Sequence, residues 1–146
     1  MIPKFRAWDK RHNEIVSVHE INFKNDTLTT ESIDNGISKD VQMLVFILMQ
    51  STGFKDDNGV EIFEGDVVNI HWFYTDYDPE TLGAIENEAT AEKVVITKEF
   101  GNLGFWWNSG DDWVDLTTLA LTVQLHEESF ELLGNIHENP ELLEGN

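Results

Sequence analysis

The sequence predicts a mainly β protein with little helix, in which an N-terminal β segment precedes a barrel-like (SH3-like) C-terminal part. Short runs of β-branched and aromatic residues, several of which alternate polar with apolar side chains, indicate about eight strands. Turn signals rich in Gly, Asn and Asp recur about every eight to twelve residues between these runs, a spacing typical of barrels and sandwiches. With 146 residues, five Trp and nine Phe, the chain can bury a core despite its high charge.

The predicted strands share either β-branched content or alternation. They are Lys4–Trp8, Glu14–Phe23, Leu28–Glu31, Val60–Glu64, Val67–Tyr74, Lys93–Lys98, Phe105–Trp107 and Phe130–His137.

Four other segments are less regular. Residues 41–49 are almost wholly apolar, and periodicity does not distinguish a buried strand from a short helix there. Residues 75–92 are acidic and poor in apolar side chains, which predicts an exposed loop. Residues 115–125 are consistent with one helical turn, and residues 138–143 with a capped turn or short helix, because Pro is tolerated at a helix start.

The charge is divided unevenly along the chain. Counting from the sequence, residues 1–55 carry seven Lys/Arg and seven Asp/Glu, whereas residues 56–146 carry two and twenty-one, a net of −19. This contrast predicts a boundary near residues 51–57 and two parts, 1–50 and 51–146. The acidic part disfavours direct binding to nucleic acid and to anionic membrane surfaces, since both depend on cationic side chains.

A turn-rich motif occupies the start of the second part. Asn58 and Gly59 supply the left-handed backbone of a tight turn, and Gly65 and Asp66 form a second turn before the Val67–Tyr74 strand. The carboxylate of Asp66 is expected to accept hydrogen bonds from backbone amides. These four residues are interpreted as structural.

A dense aromatic cluster suggests an interface. Alternation places Trp106 and Trp107 on opposite faces of one strand, with Trp113 nearby, so both can enter a core only if both faces are covered. One of Trp106 and Trp107 is therefore a candidate contact with a second subunit or a ligand, and Trp113 is a further candidate, because Trp is frequent at interfaces.

A candidate acidic partner surface consists of carboxylates near predicted turns. Its residues are Asp76, Asp78, Glu80, Asp111, Asp112 and Asp115. The run from Asp76 to Glu80 starts like a calcium loop, but Thr81 replaces the required glycine and Asn87 the bidentate glutamate, so a solvated acidic loop is favoured.

Catalytic motifs are absent from the sequence. It contains no Gly-rich phosphate loop, no Gly-x-Ser-x-Gly elbow and no Cys, and its five His are scattered. His126-Glu127-Glu128 starts like a zinc motif, but Phe130 occupies the second histidine position. These features predict no enzymatic activity, no cofactor and no metal site.

Three segments carry a family resemblance. They are Lys4–Asp9, the run from Leu48 to Gly59 continuing through Glu61–Val68, and Leu133–Leu142. In their order and spacing they resemble the YopX family of phage-encoded proteins, with Ser51 and Phe63 where tyrosine is expected. The resemblance implies a phage or prophage product, a β-rich fold with a barrel-like C-terminal part, and self-association. It implies no activity and no catalytic residues.

These observations lead to a hypothesis of a non-enzymatic interaction or assembly protein that acts as a homo-oligomer. Without a signal sequence or a long apolar stretch, it is expected in the host cytoplasm and not in a membrane. One alternative is an acidic mimic of nucleic acid that binds a basic host or phage protein as a decoy. A second alternative is an enzyme with an unrecognised site.

Overall fold

The computed structural model describes residues 4–107 and 110–143 of the chain, and in this part strands make up 60% and helix 12%. The prediction of a mainly β fold is therefore confirmed. Residues 1–3 and 144–146, the outer ends of the two predicted parts, lie outside the described residues. The strands are β1 (Phe5–Asp9), β2 (Glu14–Asn22), β3 (Thr27–Ser32), β4 (Gly36–Gln42), β5 (Phe46–Lys55), β6 (Glu61–Phe63), β7 (Asp66–Tyr77), β8 (Ala84–Val95), β9 (Thr97–Glu99), β10 (Asn102–Trp107), β11 (Asp112–Asp115) and β12 (Phe130–Asn135).

The first half of the chain forms a six-stranded antiparallel sheet in the order β4-β3-β2-β1-β5-β6. Three consecutive hairpins build it, and the turns contain residues that tolerate positive φ: Asn13 at 53°, Asp26 at 54° and Gly36 at 68°. β1 lies in the middle, with Arg6 opposite Ser17 of β2 and Met49 of β5. β5 pairs with β1 and not with β4, so β1 lies inside the sheet and β4 lies at its edge.

One face of this sheet carries a small core. Ala7, Val16, Leu28 and Phe46 are buried together, and partly buried apolar residues of β2, β4 and β5 pack against them. The residues of this core all precede position 50. Such a small cluster is a modest source of stability by itself, because stability rises with the apolar area removed from water.

The second half forms two three-stranded sheets, in the orders β12-β7-β8 and β11-β10-β9. Their shared core contains Trp72, Phe105 and Phe130 together with Leu116 and Leu119 of α1 (Leu116–Thr122). Asp115 caps α1 by accepting a hydrogen bond from the Thr118 backbone N–H at 3.1 Å. Short 3-10 turns occupy Met43–Val45, Glu127–Ser129 and Pro140–Leu143. Among the described residues, no helix is long and apolar enough to cross a membrane.

The structure corrects the prediction of an exposed loop over residues 75–92. β7 and β8 pair from Val67 opposite Val95 out to Tyr77 opposite Ala84, so this segment is a long hairpin. Its side chains are indeed mostly exposed. The prediction was wrong because a low apolar content indicates exposed side chains but does not exclude strand pairing. Antiparallel strands satisfy their backbone hydrogen bonds with each other even when neither face is buried.

The barrel-like description is too strong for the C-terminal part. The two sheets of the described residues share a core but stay open and are not closed by a continuous ladder. Alternation specifies which face of each strand is buried, whereas closure depends on strand tilt and stagger, which the pattern does not encode.

Strand β5 crosses the predicted boundary between residues 50 and 51. It pairs with β1 as far as Gln50 and with β6 from Ser51 to Lys55. The apolar segment 41–49 contains both predicted alternatives, a 3-10 turn at Met43–Val45 followed by this strand. The two parts therefore share a continuous strand, and their division stays a prediction.

The Gly65-Asp66 turn is the junction of the two halves. Gly65 N–H donates to the Ile96 carbonyl at 2.7 Å, Ile96 N–H donates to the Asp66 carbonyl at 2.9 Å, and Ile136 N–H donates to the Gly65 carbonyl at 2.9 Å. Gly65 has a φ of +90°, and a Cβ there would lie 3.0 Å from the Met49 sulfur. Both the backbone conformation and the close approach require glycine.

A buried ion pair holds β1 against this junction. The Arg6 Nη2 donates to Asp66 Oδ1 at 2.6 Å, with side-chain exposures of 15% and 1%. The other oxygen, Asp66 Oδ2, accepts a hydrogen bond from the Phe63 backbone N–H at 2.8 Å. The guanidinium also lies 4.8 Å from the centre of the Phe63 ring. Nearby, His137 stacks on Trp8 with ring centres 5.3 Å apart, which connects β1 to the C-terminal part of the chain.

Burial raises the pKa of Asp66 above its ordinary value, and the positive charge of Arg6 and the Phe63 hydrogen bond only partly oppose this. Burial and the charge of Arg6 both lower the pKa of His137. The ionised form of Asp66 therefore depends on Arg6, because a buried carboxylate without a counter-charge is costly.

We predict that Arg6→Met lowers the free energy of unfolding by about 3 kcal/mol, the usual cost of breaking a buried pair. The remaining carboxylate then has a pKa raised further above its unfolded value. Stability from such a group is complete below the unfolded pKa and is lost as pH rises through the folded pKa. Urea unfolding should therefore show a larger deficit at about pH 8 than at about pH 5.5.

The matched control for this prediction is Lys4→Met. It removes the same charge from the Lys4–Glu61 pair, where the side-chain exposures are 74% and 23% and the Nζ–Oε1 distance is 3.6 Å. Exposed pairs contribute about 1 kcal/mol or less. Equal losses in the two variants, or a deficit that does not change with pH, would contradict the assigned role of Asp66.

Candidate functional site

The turn motif predicted from the sequence is a hydrogen-bonded junction. Gly59 has a φ of +78°. Its N–H donates to the Asp56 carbonyl at 3.0 Å. The Asp56 carboxylate, 3% exposed, accepts from the N–H groups of Asn58 at 2.9 Å and Val60 at 2.8 Å. The sequence interpretation missed Asp56, although an Asp two residues before Asn-Gly is a signal for such a turn.

The structure places the three candidate interface tryptophans in two environments. Trp107 packs on the C-terminal core, with its ring 5.2 Å from that of Trp72. Trp106 is 39% exposed on the opposite face. Trp113, directly across from Trp106 in the ladder, has its ring 5.2 Å from it, and Phe100 lies edge-on to Trp113 at 6.2 Å. Trp106, Trp113 and Phe100 thus form one aromatic surface, which excludes Trp107.

Gly104 makes room for this aromatic surface. An added Cβ there would lie 2.1 Å from the Val114 carbonyl oxygen and 2.9 Å from the Trp113 ring. A glycine in a strand often marks such a close approach. The Trp113 ring therefore packs against the bare backbone of β10.

The six candidate acidic residues lie on two different sheets. Asp76 is in β7, and Asp78 and Glu80 are in the turn that follows it, where Asp78 Oδ1 accepts from the Glu80 N–H at 2.8 Å. Asp111 lies in the turn before β11, Asp112 begins that strand, and Asp115 caps α1. The sequence grouped these carboxylates by composition, whereas the fold separates them into two groups.

The first acidic group lies on a projecting hairpin, the β7–β8 arm, which we define as residues 73–88. Every side chain of this arm is exposed or partly exposed. Large apolar side chains lie among the carboxylates; they are Phe73, Tyr74, Tyr77, Leu82 and Ile85. The arm therefore presents apolar and acidic side chains together on its surface.

A groove of about 650 Å³ lies between this arm and α1. Phe73 and Tyr74 line it on one side, and Leu121 and Val123 on the other. His71 and Glu86 add polar groups, and His71 Nε2 lies 3.1 Å from Glu88 Oε2. Its mixed apolar and polar lining is of the kind that binds a side chain or a peptide segment.

Asp9, His12 and Glu14 place three metal-ligand side chains within 4.8 Å of one another. Arg11 already provides the cation at this position, because its Nε and Nη2 donate to the two Asp9 oxygens at 3.1 and 3.0 Å. Burial by itself raises the pKa of Asp9, but the hydrogen bonds from Arg11 and His12 outweigh it and hold that pKa below its usual value. The group is therefore explained as the closure of the first hairpin.

Comparisons with known proteins agree with the resemblance seen in the sequence. A family model described as YopX protein matches residues 4–144. The crystal structure of protein EF1440 from Enterococcus faecalis is similar to this chain, with 28% identity, a TM-score of 0.53 and 99% of each chain covered. A search of curated proteins gives no match. The matched residues 4–144 include all three sheets and the Gly65-Asp66 junction. Because the family model covers nearly the whole chain, the chain belongs to the YopX protein family.

Proposed function

We propose that this phage-type protein is a non-enzymatic interaction or assembly protein that works as a homo-oligomer in the host cytoplasm. The observation that carries the proposal is the β7–β8 arm, which presents ordered apolar side chains on both of its faces. Its phage or prophage origin rests on the family resemblance.

One face of the arm continues the buried face of the C-terminal core. Trp72 on this face is 6% exposed, and further along the same face Tyr74 is 39% and Ile85 41% exposed. On the other face Phe73 is 53% and Tyr77 65% exposed. Exposed apolar side chains grouped in this way mark interaction sites more often than scattered ones do.

The groove beside the arm offers a complementary surface on the same chain. Leu121 at its edge is 83% exposed. An arm from a second copy placed in this groove would cover Leu121 and the arm's own apolar side chains together. A symmetric dimer uses the same two surfaces twice, which suits a chain that carries both. The aromatic surface of Trp106, Trp113 and Phe100 is a second candidate contact.

Charge makes the proposed association sensitive to salt. The chain has a net charge of −19, so two copies repel each other. Added salt screens this repulsion, while contacts between apolar side chains persist. Self-association through the arm should therefore strengthen as ionic strength rises.

We predict that the double variant Tyr74→Ser, Ile85→Ser weakens self-association by about a hundredfold. Burial of these two side chains in an interface would contribute about 3 kcal/mol to the free energy of association. Light scattering at several protein concentrations, at low and high salt, measures the change. Phe23→Ser is the matched control, because Phe23 is 78% exposed but lies outside the arm, its groove and the aromatic surface. A wild-type protein that stays monomeric at micromolar concentration in both salts would overturn the proposal.

A second candidate function is an acidic decoy for a basic, nucleic-acid-binding protein. The observation that favours it is the order of the carboxylates on the arm. Asp76 lies on a strand and accepts a hydrogen bond from the Tyr77 N–H at 2.8 Å, and Asp78 organises the tip. Fixed carboxylates lose little conformational entropy when they bind, unlike those of a disordered loop.

For the decoy we predict binding to an oligo-arginine peptide that weakens steeply as salt rises, the opposite trend to self-association. Changing Asp76 and Asp78 to Asn and Glu80 to Gln should weaken this binding without unfolding the protein. Changing three exposed carboxylates outside the arm, Asp34 and Asp111 to Asn and Glu20 to Gln, controls for the same change in net charge. Titration calorimetry measures binding of the peptide, and a complex of the peptide with DNA tests displacement. If the wild type neither binds the peptide at low salt nor releases DNA from the complex, the decoy function is wrong.

A further inference from the structure

Strand β7 has a free edge along the outer part of its length. Its ladder with β12 ends where Phe130 lies opposite Ile70, whereas its ladder with β8 continues out to Tyr77 opposite Ala84. Among the strands of the described residues, residues 71–77 are therefore paired on one side only. About half of the backbone N–H and C=O groups of such a strand face away from its partner. An edge of this kind can accept a further strand.

The groove between the arm and α1 lies along this free edge. Phe73, Tyr74 and Thr75 line it from β7, and Leu121 lines it from α1. Ser129, the residue directly before β12, also lines it, so the groove begins where the β12 ladder stops. An extended segment in the groove would therefore continue the line of β12 and pair with β7. Proteins that bind extended peptides by strand addition use such a strand edge for affinity and the neighbouring pockets for specificity.

The charge of the groove favours a cationic occupant. Glu86 of β8 and Glu128 of the 3-10 turn before β12 line the groove, and both are exposed. No Lys or Arg lies in either of the two segments that form its walls, residues 71–86 and 120–129. At low salt the groove therefore attracts a cationic segment and repels the acidic arm of a second copy.

The register of the arm places the acidic and apolar groups on different faces. Glu86 lies directly across from Thr75 in the ladder, whereas Tyr74 points to the other face of the ribbon. A strand added to β7 has the same alternation. Its side chains on the face of Glu86 meet a carboxylate, and those on the face of Tyr74 meet an apolar ring.

We propose that the groove binds an extended segment of a basic protein by strand addition to residues 71–77 of β7. The segment carries cationic side chains at every second position, on the face of Glu86, and apolar side chains between them, on the face of Tyr74. This inference rests on the second candidate function, the binding of a basic protein. It adds to that function the binding site and the sequence pattern that the site selects.

Two blocked heptapeptides of equal composition test the pattern. In one, Val and Arg alternate, and in the other, the Arg residues are grouped at one end. Because both carry the same charge, non-specific attraction to the acidic half binds them equally, whereas strand addition favours the alternating peptide. We expect the alternating peptide to bind at least about tenfold more tightly, through the sum of several cross-strand pairs. Titration calorimetry at low salt measures both affinities.

Nitrogen–proton correlation spectra locate the alternating peptide. Its titration should shift the backbone signals of Phe73, Thr75 and Leu121 and slow hydrogen exchange of amides within residues 71–77. N-methylation of every second peptide residue removes the N–H groups of one peptide edge at a time. The form that lacks the N–H groups facing β7 should lose binding, and the form that lacks those facing solvent should keep it.

Variants test the walls of the groove. The double variant Glu86→Gln, Glu128→Gln should weaken binding of the alternating peptide about tenfold, the effect of losing two exposed ion pairs. The matched control Glu20→Gln, Asp34→Asn removes the same charge from exposed positions of the N-terminal sheet and should have a smaller effect. Leu121 is 83% exposed, so Leu121→Lys leaves the core intact while it places a cation in the groove. This variant should lose binding of the alternating peptide.

The outcomes separate this inference from the function on which it rests. Equal binding of the two heptapeptides, the same behaviour of both methylated forms, or unchanged affinity in Leu121→Lys would overturn strand addition. If oligo-arginine still binds in that case, the decoy function stands and only this inference fails; if no basic peptide binds, both fail. Slow exchange within residues 71–77 that appears at high protein concentration without peptide would assign the groove to a second copy and would also overturn the inference.

Discussion

The buried pair of Arg6 and Asp66 is the interaction on which the two halves of this fold depend. Asp66 follows Gly65 at the point where backbone hydrogen bonds bring Ile96 and Ile136 together. One carboxylate oxygen supports the local turn through the Phe63 N–H, and the other reaches β1 through Arg6. A local turn and a long-range contact therefore share one side chain. Burial disfavours its charge, so the local turn is electrostatically linked to the position of β1.

The same arginine makes two kinds of contact at the junction. Its guanidinium donates to the Asp66 carboxylate and lies over the Phe63 ring. A planar guanidinium can donate to a carboxylate while its face lies on an aromatic ring, which an ammonium group could not. The pair thereby joins a part of the chain that carries no net charge to the acidic part.

The acidic half is organised differently, around an extended hairpin and not around a buried polar pair. Its core ends near Trp72, and beyond that residue the β7–β8 arm keeps its backbone pairing while its side chains become exposed. Apolar and acidic side chains lie close together there, so apolar contact favours association while like charges oppose it between two copies. Ionic strength sets the balance between apolar attraction and charge repulsion. High salt favours association of two acidic copies, whereas low salt favours binding of a basic partner.

The sequence by itself determined the β class, most strand positions, the Asn58-Gly59 and Gly65-Asp66 turns, and the opposite orientations of Trp106 and Trp107. These features follow from residues close together in the chain, through alternation and turn preferences. Only the tertiary structure decided that residues 75–92 belong to a paired hairpin, that the C-terminal sheets stay open, and that Arg6 meets Asp66. Those outcomes depend on contacts between segments far apart in the chain, such as Arg6 with Asp66 and Asn135 with Asp66. Local patterns report whether a side chain is buried, but they do not report which distant residue buries it.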